Sequence, residues 1–326
     1  MLSRVADSIY WLNRYIERAE NVARFIDANF HMILDLPLGA AEQWMPLVNT
    51  TGDRGLFTEL YREAYRDRVI QFLTFDQRNP NSILSCMRAA RENARSVREY
   101  ISSEMWQQVN TFYLTVNEAA VHGGGIDLPH QFFVDIMMAS HLFVGITEST
   151  MSHGEGWHFG RLGRMLERAD KTSRILDVKY YVLLPSVDYV GSPFDNILWA
   201  ALLRSASAFE MYRKRYGRID PDKIVDFLVL DPNFPRAIHC CLKAAEISMR
   251  SITGSPRGSF SNRAEQALGK LLAEIDYVTV EEILTVGLHE YLDALQTRLN
   301  QVGNAIFETF FALRPVDSRV IPQTVE

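Results

Sequence analysis

Two stretches of this chain carry the same charged side chains in the same order. The first reads Arg14-Tyr15-Ile16-Glu17-Arg18-Ala19-Glu20, with Arg24 and Asp27 following; the second reads Arg164-Met165-Leu166-Glu167-Arg168-Ala169-Asp170, with Arg174 and Asp177 following. Six charged positions keep their sign at a constant offset of 150. Carboxylates three residues apart with an arginine four beyond are neighbours on one face of a helix. Three kinds of chemistry are open to such a set. The charges can pair across a partly buried seam and fix how two halves of a molecule dock. The guanidiniums can hold a phosphate, a carboxylate or a partner's charged segment. The carboxylates can serve as acids, bases or oxygen ligands to a metal. Di-metal bundles ask for a Glu-x-x-His pair from each of two helices. The place of the His is filled in neither copy, and the neighbouring arginines repel a cation, so no metal, cofactor or catalytic group is implied.

The elements that carry these residues are helices. Residues 5–35 place Ile9, Leu12, Ile16, Ala19, Ala23, Ile26, Phe30 and Leu34 at spacings of three and four. On a wheel of about 100° per residue, Glu17, Glu20, Arg24 and Asp27 fall within roughly 80° of each other along the border of that apolar face. Arg14 and Arg18 point further out. Glu167, Asp170, Arg174 and Asp177 repeat the arc, with Arg164 and Arg168 in the outer places. Further helices are expected over 41–49, 56–75, 82–102 (opened by Asn79-Pro80), 104–122, 129–151, 157–184, 195–215, 221–230, 235–253, 261–275 and 279–312. Breaks are expected at Pro37 and Gly39, at Gly123-Gly124-Gly125, at Gly154–Gly156 and in the loop carrying Pro185, Gly191 and Pro193. No segment alternates as a strand would.

A second set of segments repeats at an offset of 155. Phe72-Leu73, Asp76, Pro80, Ile83, Cys86, Ala89-Ala90 and Arg95-Ser96 return as Phe227-Leu228, Asp231, Pro235, Ile238, Cys241, Ala244-Ala245 and Arg250-Ser251. Trp44 and Leu47 return as Trp199 and Leu202. The expected architecture is therefore all-α: a tandem-duplicated helical bundle of two pseudo-symmetric halves, 1–150 and 151–312, packed as one unit, with five or six helices each and a tail at 313–326. Each half is too large for a solenoid repeat.

Composition narrows the function classes. A net charge of −6 gives no reason to expect nucleic-acid binding. Of the 34 basic residues only 6 are Lys, a bias toward the side chain suited to bidentate anion contacts or toward a GC-rich genome. Cys86, Cys240 and Cys241 form no disulfide framework and read as thiols of a reducing compartment. There is no leader pattern and no run of about 18 apolar residues, so the expectation is a cytoplasmic protein that does not cross a membrane. No phosphate-cradling loop or nucleophile elbow occurs. The cluster His153-Gly154-Glu155-Gly156-Trp157-His158 reads as a helix–helix turn. Arg88, Arg91, Glu92, Arg95, Arg98 and Glu99 read as a solvated face with internal ion pairs, partly repeated as Lys243, Glu246 and Arg250.

Four stretches carry a resemblance to a known family: MLSRVADSIYWLNRYIERAENVARFID, GWHFGRLGRMLERADKTSRILD, NPNSILSCMRAARENARSVREYISSEMW and LWAALLRSASAFEMYRKRY. On these the chain resembles the alpha-E family of bacterial all-helical domains. The resemblance implies gene neighbours of the circularly permuted ATP-grasp ligase and transglutaminase-like kinds, and a role in making or modifying peptide-like amide bonds. The family's glutamates map onto Glu17, Glu20, Glu167, Glu92 and Glu104, with Asp170 standing where the first copy has Glu20. The expected function is a non-catalytic partner of an ATP-grasp amide ligase, binding the ligase, its substrate or its product through the Arg/carboxylate seam. The alternatives are an enzyme of the same system that uses the helix carboxylates, and a structural oligomerisation module.

Overall fold

The computed structural model of the chain describes residues 1–35, 44–123, 130–182 and 193–312. It is all-helical, and no strand occurs among the described residues. The first half contains α1 (Ser3–Asp35), α2 (Met45–Thr51), α3 (Arg54–Tyr61), α4 (Arg66–Thr74), α5 (Ile83–Ser96), α6 (Ser103–Gly123) and α7 (His130–Thr150). The second contains α8 (Glu155–Val182), α9 (Pro193–Ser205), α10 (Phe209–Tyr216), α11 (Pro221–Val225), α12 (Ile238–Thr253), α13 (Arg263–Tyr277), α14 (Val280–Val286) and α15 (Leu288–Ile306). Single π-helical turns, Asp226–Leu230 and Phe307–Phe311, follow α11 and α15.

Apolar spacing locates the helices but overruns their ends. The spans expected at 56–75, 195–215 and 279–312 are each broken by a residue of positive φ: Arg62 (64°), Ser207 (49°) and Gly287 (104°). A residue in that conformation turns its peptide out of the helical ladder and starts a new direction. The helix expected over 82–102 ends at Ser96, and Pro80 is not in its first turn. Ser82 is the cap instead, its Oγ accepting the Ser85 backbone N–H at 3.2 Å. The described residues therefore hold seven and eight helices in the two halves, against the five or six expected of each. The stops at Pro37 and Gly39, the Gly124-Gly125 pair, residues 183–192 and the 313–326 tail lie outside the described residues. Pro193 begins α9.

Two large apolar cores form, beside a small cluster of Met32, Leu198 and Ala201. One gathers α1 to α7 around Ile9, Leu12, Phe57, Phe72, Met87 and Phe133. The other gathers α8 to α15 around Leu162, Leu176, Tyr212, Leu228, Leu242 and Leu292. α1 belongs to both: Ile9, Leu12, Ile16 and Ile26 enter the first, Ala6, Tyr10 and Phe25 the second. α7 is, among the described residues, the helix long and apolar enough by length and composition to cross a membrane. Here it packs on α1 and α6 and buries Phe132, Phe133, Ile136 and Phe143.

α1 and α8 pack closely because two glycines of α8 permit it. A Cβ at Gly163 would stand 2.5 Å from the Tyr10 carbonyl oxygen, and one at Gly160 would stand 2.6 Å from Asn13 Nδ2. The Tyr10 oxygen is backbone and cannot swing aside. Gly163→Ala is expected to destabilise the fold by about 1–3 kcal/mol through overpacking. Gly269→Ala, in open space within α13, should be neutral or stabilising by up to about 1 kcal/mol through helix propensity. Urea unfolding of both variants checks the contrast.

Candidate functional site

The glycine contact sets the two Glu-Arg dipeptides of the chain, Glu17-Arg18 and Glu167-Arg168, opposite each other, and they exchange partners. Arg168 donates to Glu17 through Nε (2.8 Å) and Nη2 (2.7 Å). Arg18 donates to Glu167 through Nε (2.6 Å) and Nη2 (3.0 Å). Each is a two-bonded guanidinium–carboxylate pair, the strong form of such a contact. Both glutamates are buried.

On one side of this crossing every acceptor is taken. Glu17 also receives Arg236 Nη1 (3.1 Å) and Asn21 Nδ2 (3.1 Å). Glu20, fully buried, accepts from Arg24, Arg236 and Ser140 Oγ (2.7 Å), with His141 Nε2 at 3.2 Å. Burial alone would raise the Glu17 carboxyl, but Arg168 and Arg236 outweigh it and hold it below the usual range. Burial also opposes the charge of Glu20, which Arg236, His141 and Arg24 hold well below that range. Burial and the nearby Arg236 push the Arg24 guanidinium down to about 10, against the pull of Glu20. This side ties α1 to α7, α8 and the turn before α12.

The other side is open. Glu167 accepts from Arg14 Nε (2.8 Å) as well as Arg18, and Lys171 Nζ lies 3.6 Å away. Arg18, Arg14 and Lys171 overcome the burial of Glu167 and keep its carboxyl well below the usual range. Asp170 pairs with Lys171 Nζ (3.1 Å) and Arg174 Nε (3.0 Å). Arg14, Arg18, Asp170, Lys171 and Arg174 line a cleft of about 500 Å³ with Tyr10, Trp11, Thr51, Asn81, Asn300, Asn304, Phe307 and Phe311, with Glu167 buried behind them. Arg14 stacks 4.8 Å from the Trp11 ring centre, and Arg18 Nη1 donates to Asn81 Oδ1 at 2.6 Å. Arg14, Arg18, Lys171 and Arg174 face Glu167 and Asp170: four cations against two carboxylates. Such a lining suits an anionic ligand with an apolar portion.

The expected seam is thus partly assembled. Glu17, Glu20, Arg24, Glu167, Asp170 and Arg174 come together, while Asp27 and Asp177 face histidines instead: His130 Nδ1 at 2.5 Å and His289 Nδ1 at 2.6 Å. Arg14 and Arg18 do not point outward. They turn back across the crossing to Glu167 and are largely enclosed. Arg164 is buried beside the crossing, near Arg168 and Glu17, but pairs with Glu148 at 3.1 Å. Glu92 pairs with Arg95 at 2.7 Å on the exposed face of α5, and Glu104 lies in the exposed first turn of α6. Lys171, Asn81 and Arg236 were missed. Lys171 and Arg236 match Asn21 and Asn81 at the two offsets, so a search for repeated charges passes over them. Burial pushes the Cys86 and Cys241 thiols up to about 12, which leaves no thiolate near neutral pH.

The family model that matches residues 1–311 is Alpha-E, a predicted alpha-helical domain with a conserved ER motif. Similar proteins include an uncharacterized protein of Mycobacterium bovis, 22% identical over 95% of this chain and 37% of its own length. Uncharacterized proteins of two Mycobacterium tuberculosis strains are 22% and 21% identical over the same shares. The chain therefore spans little more than a third of the curated relatives it matches. No solved structure matches it.

Removing one partner of a buried pair leaves the other charge bare. Arg168→Met is expected to cost about 3–5 kcal/mol. The carboxyls of Glu17, Glu20 and Glu167 are held below their ordinary range, so their contribution is complete above that range and is lost as pH falls through the lowered values. Stability should stay level from neutral pH down to about 5 and fall steeply below about 4. Glu17→Gln should flatten that acid slope in urea titrations at stepped pH.

Proposed function

We propose, for a chain that belongs to the alpha-E family, a non-catalytic role: an accessory binding protein of an ATP-grasp amide-ligase system that makes or modifies peptide-like amide bonds. The cleft beside the Glu-Arg crossing takes the carboxylate-bearing end of the ligase's peptide-like substrate or product. The observation that carries this reading is the cation surplus in an open, aromatic-rimmed cleft. Arg14 and Arg18 are already oriented by Glu167, so an incoming carboxylate meets donors whose positions are set. The hydroxyls of the lining are engaged: Thr51 Oγ1 donates to the Val48 carbonyl, and Tyr10 accepts from Arg14. A ligase and a transglutaminase-like protein are the partners that the family resemblance suggests. That the relatives extend far beyond the matched region fits a module that works attached to, or beside, other machinery.

The rival enzymatic reading assigns acid, base or ligand roles to Glu17, Glu20 and Glu167. All three are buried and held by arginines, which favours a positioning role for them.

The halves also differ where a binding role needs them to. The crosswise exchange between Glu17-Arg18 and Glu167-Arg168 supports a tandem duplication with two pseudo-symmetric halves. In that reading Asn81 stands where the second half has Arg236, at the offset of 155. Arg236 fills its side of the crossing, whereas the shorter, neutral Asn81 leaves the opposite side open.

Calorimetric titration of triglutamate into the purified chain tests the site. Lys171→Ala/Arg174→Ala should weaken binding about 10- to 100-fold, the range for lost hydrogen bonds to a charged ligand. Asn81→Arg should fill the cleft and abolish binding while the helical signal persists. Unchanged affinity in both variants would overturn the assignment. ATP-dependent ligation by a co-purified ligase, with and without this protein, then tests the accessory role.

A further inference from the structure

The geometry points to a divalent transition-metal site formed by Asp27, His31 and His130. It lies about two helical turns along α1 from Glu20 and does not depend on the cleft. Asp27 and His31 are four residues apart, the spacing that sends two ligands from one helix face toward a single point. His130 comes from the first position of α7, across a sequence separation of 103 from Asp27. One ligand atom from each residue lies within 4.8 Å of the other two.

The details suit an ion better than a plain ion pair. His130 Nδ1 stands 2.5 Å from Asp27 Oδ1, a shielded oxygen that takes no hydrogen bond from any other residue. The His31 and His130 rings meet edge to face, 4.9 Å apart at 82°, so the two imidazoles are already in contact beside Asp27. Ligand atoms around a tetrahedral ion with bonds of 2.0–2.1 Å sit about 3.4 Å apart. Around an ion the Asp27–His130 pair, now at 2.5 Å, must therefore open by about an ångström, and the exposed His31 side chain can rotate to bring its nitrogen to the same separation. Two imidazoles and one carboxylate favour zinc, cobalt or nickel over calcium or magnesium. Three protein ligands leave a position open for water or a bound group. The nearest competing charge, Arg24, is occupied by Glu20 and Ser207. The ion would pin the start of α7 to α1.

The test uses the untagged full chain, stripped with chelator, dialysed against zinc and analysed for metal by mass spectrometry, with cobalt substitution read by visible absorption. The expected result is about one zinc per chain and the absorption of a tetrahedral cobalt centre. His31→Ala and Asp27→Asn should each weaken binding at least tenfold with the circular dichroism spectrum unchanged, since His31 is exposed and Asp27 only half-buried. His153→Ala should bind as the parent does. Failure to retain zinc, or retention that survives both His31→Ala and Asp27→Asn, would overturn the proposal. So would loss of binding in His153→Ala.

Discussion

The structure is organised around the cost of burying ionised groups. Glu17, Glu20 and Glu167 lie at the centre of the molecule with at most 1% of their surface exposed. A carboxylate removed from water costs several kcal/mol unless its lone pairs are met by donors. Each of these is met by at least two cationic side chains. That requirement dictates much else. α1 and α8 must approach closely enough for guanidiniums to cross between them, which is why α8 carries glycine at 160 and 163. The turn after Pro235 must deliver Arg236 into the interface, and α7 must present Ser140 at the depth of Glu20. Charge pairs of this kind add little net stability compared with an apolar core, but they allow few alternative arrangements.

How much of this was legible in the sequence depended on whether the signal was local. Helix content followed from apolar spacing, and the Glu-Arg pairs stood out because they occur twice. Helix ends were less legible. Arg62 and Ser207 take positive φ without being glycine, so no residue type announces them. A helical wheel also assigns directions relative to one axis alone. Arg18 reads as outward-facing on it and is nevertheless turned inward, because the packing partner α8 supplies Glu167 on that side. The same limitation concealed His130, which only the packing of α7 on α1 brings to Asp27. The cleft was illegible for a different reason. It depends on a difference, Asn81 against Arg236, between segments that otherwise match.

The two sides of the crossing divide the labour between holding and exposure. Where Arg236, Arg24 and Asn21 crowd in, the carboxylates of Glu17 and Glu20 are fully taken. On the side of Asn81, Arg14 and Arg18 are positioned by Glu167 but keep an edge toward the cleft. Preorganised donors lose less freedom on binding than free side chains do. In the proposed binding role the acids at the crossing are the frame of the surface, holding Arg14 and Arg18 in place, rather than its reactive groups.

That α1 supplies side chains to both cores bears on how the chain reaches its fold during synthesis. Domains made on the ribosome tend to fold as units, the N-terminal one first. Here the first 150 residues emerge with Tyr10 and Phe25 lacking the second core, and with Glu17 lacking Arg168 and Arg236. The early half therefore presents an apolar stripe and an uncompensated charge until α8 and then the Pro235 turn have left the tunnel. Its halves are coupled in time as well as in space, and a nascent chain of this design spends a long interval in need of protection from wrong partners.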